Sequence, residues 1–303
     1  MDELMIINEI NRLKIEKRAL ILAHNYQIPE IQDIADYVGD SLGLSRKASE
    51  TDANIIVFCG VHFMAESAKI LSPNKKVILP VADAGCPMAD MIDAEQLRSF
   101  KEEHNYASVV CYVNSSAEVK AESDVCVTSS NALKIIKSLE SKKILFVPDQ
   151  NLGNYVSKRI PEKEIIPWDG FCITHHRVRH NEIDMVRKHR GETKILVHPE
   201  CNPSVVDKAD FVGSTSEIIG YVKKSNDKEF IIGTEMGILH TLRKQNPHKK
   251  FYLLSPSLVC YNMKKTSLED VYRALRDEEK EINVNKEVMV KAHRALKRML
   301  DLS

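Results

Sequence analysis

Apolar residues gather along this chain in short runs, and the runs return at regular intervals. "ALILAH" from Ala19, "ASVVCY" from Ala107 and "KILVH" from Lys194 end on His24, Tyr112 and His198, which are 88 and 86 residues apart. Short continuous apolar runs bounded by turn signals predict strands buried on both faces. Each run leads through a polar turn into a short helical stretch. A second small strand follows ("ADYVG", "SDVCVT", "ADFVG"), then a Ser or Thr that begins another helix. A third strand comes next in every copy: "NIIVFCG", "KILFVPD" and "EFIIGTE". Ahead of the copies, apolar residues at helical spacing predict amphipathic helices over 2–16, 93–104 and 181–190.

Strands alternating with helices predict parallel sheets covered on both faces. A pattern that recurs three times predicts three homologous small three-layer α/β domains, related by a pseudo-threefold axis, with the active site at the centre. The first repeat with its N-terminal helix takes residues 1–104, the second 105–190 and the third 191–266. Closing helices, "SLEDVYRALRDEEK" and "NKEVMVKAHRALKRML", fall within 267–303.

The repeat changes the meaning of the cysteines. Cys86, in "VILPVADAGC", has no second cysteine beside it, so it belongs to no CxxC knuckle. But Cys86 lies 62 residues after His24, Cys172 lies 60 after Tyr112, and Cys260 lies 62 after His198. Threefold symmetry carries these loops to one place. Three thiols from separate loops fit a metal centre better than a disulfide, which would strand one of them. Zinc remains open, although zinc sites usually draw at least one ligand pair from a short knuckle. An iron–sulfur cluster accepts thiolates from distant loops. With three protein ligands, a [4Fe–4S] cluster keeps one iron open as a Lewis acid, which favours dehydration over electron transfer. Cys59, Cys111, Cys126 and Cys201 have no counterparts in the other copies. Cys111 and Cys126 read as buried apolar residues.

Ligands of parallel α/β sheets bind beyond the C-terminal strand ends. Those ends carry His24, Asn25 and Tyr26; Tyr112 and Asn114; and His198 and Glu200. Seventeen residues after each first-strand end stands a hydroxyl: Ser41, Ser129 and Thr215, the last preceded by Ser214. Such residues commonly cap helices. Free N–H groups at three helix starts would also receive a small molecule carrying several anionic groups. His175 and His176 follow Cys172 and are candidates to touch substrate, His175 the better placed.

The composition narrows the classes. Charges balance at 43 basic against 43 acidic over 303 residues, so no global field recruits nucleic acid or membrane. No run of 18 apolar residues predicts a membrane span. Seven cysteines without an export signal predict a reducing, cytoplasmic setting. Neither a lysine-bearing P-loop nor GxGxxG is present, which disfavours nucleotide binding.

At these residues the sequence resembles the quinolinate synthases, bacterial and archaeal enzymes that make the pyridine ring of NAD. The resemblance runs through "LAHNYQ.PEIQD.AD..GDSL.LS", "AGCPMADM", "Y.N..AEVKA.SD...TS.NA", "HPEC...V...AD..GST" and "GTE.G....L", over essentially the whole chain. It implies condensation of iminoaspartate, delivered by L-aspartate oxidase, with dihydroxyacetone phosphate to quinolinate, phosphate and two waters. It implies Cys86, Cys172 and Cys260 as ligands of one [4Fe–4S] cluster. His24, Tyr26, Tyr112, Asn114, His198 and Glu200 would surround the substrate, and Ser41, Ser129, Ser214 and Thr215 would hold its anionic groups. Glu200 and the histidines would move protons, with Tyr26 or Tyr112 positioning them. Two other readings stay open: a different iron–sulfur hydro-lyase of polycarboxylates, and a non-catalytic metabolite or iron sensor.

Overall fold

The structure, a computed structural model, describes residues 2–303. Its twelve strands form three four-stranded sheets, and every pairing is parallel. The first layer holds β1 (Ala19–His24), β2 (Tyr37–Gly39), β3 (Ile55–Cys59) and β4 (Lys76–Ile78) in the order β2-β1-β3-β4. The second repeats that order with β5 (Ser108–Tyr112), β6 (Val125–Val127), β7 (Lys143–Val147) and β8 (Glu164–Pro167). The third repeats it again with β9 (Lys194–Val197), β10 (Phe211–Val212), β11 (Glu229–Gly233) and β12 (Lys250–Leu253). The amphipathic helices expected ahead of the copies are Glu3–Glu16, Ala94–Glu103 and His180–Arg190.

The layers share more than strand order. Asp36, Asp124 and Asp210 stand just before the short edge strands β2, β6 and β10. Their carboxylates accept the N–H of Ile21, Val109 and Ile195 at 2.8, 2.7 and 2.8 Å. The backbone N–H of each aspartate returns a bond to the carbonyl of the same partner, at 3.0 Å in all three layers. The edge strand is too short to satisfy that ladder position, so the carboxylate completes it and pins the register.

One expectation needs correction. Ser129 does not begin a helix, because Asn131 Oδ1 bonds back to the Thr128 N–H at 2.6 Å and holds residues 128–131 in a turn. The helix starts only at Ala132. Capping in the first layer falls to Asp40, which accepts from Gly43 N–H, and Ser41 is the first helical residue. In the third, Ser214 is the cap, in a reciprocal pair with Glu217, and Thr215 is the first helical residue.

Layers one and two share one apolar core. It contains Leu22, Phe58, Val110 and Phe146, with Ala292, Leu296 and Met299 from the closing helix Lys286–Leu302. The other closing helix, Leu268–Asp277, packs on Glu3–Glu16 and β3. Layer three has its own apolar clusters around Ile195 and Phe230. It meets layer one through polar contacts. Gln32 Nε2 donates to the carbonyls of Gly237 and Asn25, and the Thr241 hydroxyl donates to Gln32 Oε1 at 2.9 Å. Gly237 must be glycine, since a Cβ there would stand 2.7 Å from Tyr26 Cα.

Leu296 is fully buried in the shared core, so Leu296→Ala is expected to cost about 2–5 kcal/mol. Urea unfolding should keep one cooperative transition for layers one and two. Two separated transitions would count against a common core.

Candidate functional site

A cavity of about 210 Å³ opens where the strand ends of the three layers meet. Cys86, Cys172 and Cys260 all line it. Each cysteine loop is tied to its own layer by the same backbone bond. His62 N–H donates to Ala84 O at 2.8 Å, Gln150 N–H to Gly170 O at 2.7 Å, and Met236 N–H to Leu258 O at 2.9 Å. In every case the acceptor precedes the cysteine by two residues. Each sulfur also faces amides of the turn that follows it: Met88 and Ala89, His175, and Asn262 and Met263.

Those amides favour thiolates, but burial wins. It pushes Cys86 up to about 12, Cys172 well above its usual value, and Cys260 up as well. Left to themselves the three are neutral thiols; a cationic centre among them would reverse that. Among the described residues, the donor group that closes to within 4.8 Å is Cys172, His175 and Glu200, rather than the three sulfurs. Thiolates around one zinc stand about 3.8 Å apart, given bonds of about 2.3 Å. The three sulfurs do not all lie within 4.8 Å of one another, wider than that spacing. Hydrogen bonds account for the tighter group: His175 Nδ1 lies 2.8 Å from Glu200 Oε2 and 3.2 Å from Cys172 Sγ.

Beside the sulfurs stand the strand-end residues. His24 Nδ1 accepts the Tyr26 N–H at 3.2 Å, and His198 Nδ1 accepts the Glu200 N–H at 3.3 Å. With Nδ1 occupied as an acceptor, the proton of each ring sits on Nε2. Burial pushes both imidazoles down, to about 3 for His24 and about 4 for His198, so both are neutral donors. His198 Nε2–H reaches Ser129 Oγ at 3.2 Å. Asn114 lines the same wall, and its buried Oδ1 has no partner. An orphaned buried acceptor facing a cavity is a place for a ligand donor.

A continuous chain of hydrogen bonds crosses all three layers. Tyr112 OH donates to Glu200 Oε1 at 2.5 Å, and His175 Nδ1 meets Glu200 Oε2. His175 Nε2 meets Thr234 Oγ1 at 2.9 Å, Thr234 Oγ1 meets Tyr26 OH at 2.7 Å, and Tyr26 OH meets Thr215 Oγ1 at 3.0 Å. Burial raises the Glu200 carboxyl, but the hydrogen bonds from His175 and Tyr112 hold it below the usual carboxylate range. Burial, and then the Glu200 charge, push the Tyr26 and Tyr112 phenols well up, so both keep their protons. One base and two acids thus share one relay.

Of the residues singled out from sequence, His24, Tyr26, Ser41, Tyr112, Asn114, Ser129, His175, His198, Glu200 and Thr215 line the cavity. Ser214 is not in its wall; its side chain caps a helix. Cys59, Cys111, Cys126 and Cys201 are buried away from the cavity, with Cys111 and Cys126 in register on β5 and β6. Sequence reasoning missed Thr234, the link between His175 and Tyr26. Its only signal was "GTE" after a third strand, where the other copies carry Gly60 and Pro148. It also missed Glu235, which lines the cavity and pairs with Lys264 at 3.0 Å.

The chain matches the family model described as "Quinolinate synthetase A protein" over residues 8–301. It is 66% identical over 302 residues to a quinolinate synthase of Alkaliphilus metalliredigens, 58% over 302 to one of Clostridium kluyveri, and 56% over 303 to one of Caldicellulosiruptor saccharolyticus. The alignments cover 100% of both chains in each case. The chain belongs to the quinolinate synthetase A family.

The buried histidines set a pH dependence. A histidine at about 3 in the fold and about 6.5 unfolded binds its proton first in the unfolded chain, so stability falls as pH drops from 6.5 towards 3. Tm should therefore fall less steeply between pH 7 and 5 in His24→Asn than in the unaltered protein. Equal slopes in calorimetry would mean His24 is not held neutral.

Proposed function

We propose that this enzyme condenses iminoaspartate with dihydroxyacetone phosphate, giving quinolinate, phosphate and two waters for NAD biosynthesis. Iminoaspartate would come from an oxidase of L-aspartate, since an imine in water hydrolyses unless it is used promptly. Family membership supports the reaction. The observation that carries it to these residues is the junction of three cysteines with the Tyr112–Glu200–His175–Thr234–Tyr26 relay in one cavity.

Each part of the cavity has a task in that chemistry. The substrates bring carboxylates and a phosphate. The Nε2–H groups of His24 and His198 and the hydroxyls of Ser41, Ser129 and Thr215 offer donors for them. Ser214 would act only by holding its helix start in place. Asn114 Oδ1 accepts from the nitrogen of the imine or its enamine form. Glu200, ionised and buried, takes a proton from the carbon to be joined. The chain from His175 to Tyr26 returns protons to departing oxygens. Val61, Phe63 and Met64 give the cavity an apolar wall that limits water around the imine.

Cys86, Cys172 and Cys260 would hold a [4Fe–4S] cluster; their place in one cavity and the amides facing each sulfur fit one. When bound, such a cluster supplies an open iron that acts as a Lewis acid on an oxygen to be eliminated.

Iron and sulfide are to be counted on protein purified without oxygen. About four of each per chain are expected, with near-complete loss in Cys86→Ser, Cys172→Ser and Cys260→Ser and retention in Cys111→Ser. Equal loss from Cys111→Ser would overturn the ligand assignment.

The same preparation, given iminoaspartate and dihydroxyacetone phosphate, should form quinolinate. Glu200→Gln keeps the shape but not the base, and should lower kcat by roughly 10²-fold or more with little change in KM. A preparation that dehydrates polycarboxylates but ignores the phosphorylated triose is instead a hydro-lyase.

A further inference from the structure

The three cysteine loops share one backbone anchor but are otherwise secured differently. In layer two, Asp149 Oδ2 accepts the Cys172 N–H at 3.1 Å; in layer three, Glu235 Oε1 accepts the Cys260 N–H at 3.1 Å. Each acid stands two residues past its third strand, β7 or β11, and is buried. The same position after β3 is Val61, which offers no acceptor. Gly85, next to Cys86, is also loosely surrounded: a Cβ added there would meet nothing within 4 Å.

The missing support comes from another layer. Asn262 Nδ2 donates to Gly85 O at 2.8 Å, and Lys265 Nζ donates to Asp83 O and Oδ2 at 2.9 and 2.8 Å. Asn262 lies two residues after Cys260, in the turn whose amides face the Cys260 sulfur. One end of this turn therefore seats Cys260 while its side chains grip the loop of Cys86. Asp83 and Lys265 are solvent-facing, so their ion pair contributes less than the half-buried Asn262 amide.

We propose that Asn262, assisted by Lys265, is a positioning residue that clasps the Cys86 loop from the Cys260 loop, in place of the acid that layer one lacks. The seating of Cys86 then depends on layer three, whereas Cys172 and Cys260 are each seated by an acid of their own layer. As a statement about ligand geometry, the inference rests on reading the three cysteines as one ligand set.

The test uses the full chain purified without oxygen. Asn262→Asp keeps the shape and removes the donor, Asn262→Gln keeps a donor on a longer arm, and Lys265→Met keeps the stem without the charge. Iodoacetamide labelling of each cysteine is followed by mass spectrometry of its peptide while a chelator removes iron, with Tm measured alongside. In Asn262→Asp, Cys86 should be labelled about two- to tenfold faster relative to Cys172 and Cys260, the factor set by one neutral hydrogen bond. Iron should leave sooner while Tm changes little. Asn262→Gln should recover part of the effect, and Lys265→Met should show a smaller one. Unchanged relative labelling of Cys86 would overturn the clasp, as would equal acceleration of all three cysteines with a fall in Tm. Absence of iron from the unaltered protein would count against the cluster instead, and the labelling order would still report on the clasp.

Discussion

A carboxylate buried away from water must be surrounded by donors or give up its charge, and Glu200 places that demand at the centre of the molecule. No single layer meets it. Tyr112 reaches Glu200 from the end of β5 and His175 from the short helix Ile173–His176 after β8, while Asn151 Nδ2 holds its backbone carbonyl at 3.0 Å. Layer two therefore closes on layer three around one charge. Removing a donor would leave a buried ion partly unpaired, which costs more than the donor's own bond. Layer one joins through the far end of the same chain, where Tyr26 meets Thr215 and Thr234, and through Lys264, which bonds both Glu235 and the Tyr26 carbonyl. The polar seam between layers one and three serves both assembly and chemistry.

The scaffold is threefold but its chemistry is not. The Asp36, Asp124 and Asp210 bonds and the three anchors of the cysteine loops repeat to within about 0.2 Å, because they serve backbone that must be the same in every layer. Side chains aimed at the cavity differ by position. His24 and His198 share one tautomer, whereas Tyr112 brings a phenol to the equivalent place. Gly60, Pro148 and Thr234 follow the third strands, and only Thr234 can pass a proton. A symmetric frame brings three cysteines to one cavity, and asymmetric substitutions give each side of that cavity a different chemistry.

That division explains what the sequence could reveal. Three strands of each layer, and the convergence of Cys86, Cys172 and Cys260, were legible because apolar periodicity is local and the repeated loops are nearly equal in length; the fourth strand of each sheet and the pairing order were not. His24, Tyr112 and His198 were legible for the same reason. Thr234, Glu235 and Lys264 were not, since each works through a tertiary partner and has no counterpart in the other copies. The helix start at Ser129 was misplaced because a competing side chain, Asn131, captures the Thr128 N–H and delays the helix. Ser214 and Thr215 are adjacent, and the pattern alone did not tell the cap from the residue that reaches the cavity.

The division also bears on stability and on what the site can hold. The apolar cores lie between sheets and helices, where Phe58, Phe146 and Phe230 are almost fully buried. The cavity lies past the strand ends, where Val61, Phe63 and Met64 belong both to its wall and to the shared core. Its cysteines are neutral thiols when no cation is near, and a buried neutral thiol costs the fold little. The proposed cluster would deprotonate them, exchanging three small apolar groups for thiolates that are tolerable only beside positive charge. Such occupancy would change the electrostatics of the cavity first. The loops at the strand ends are where such a group would act.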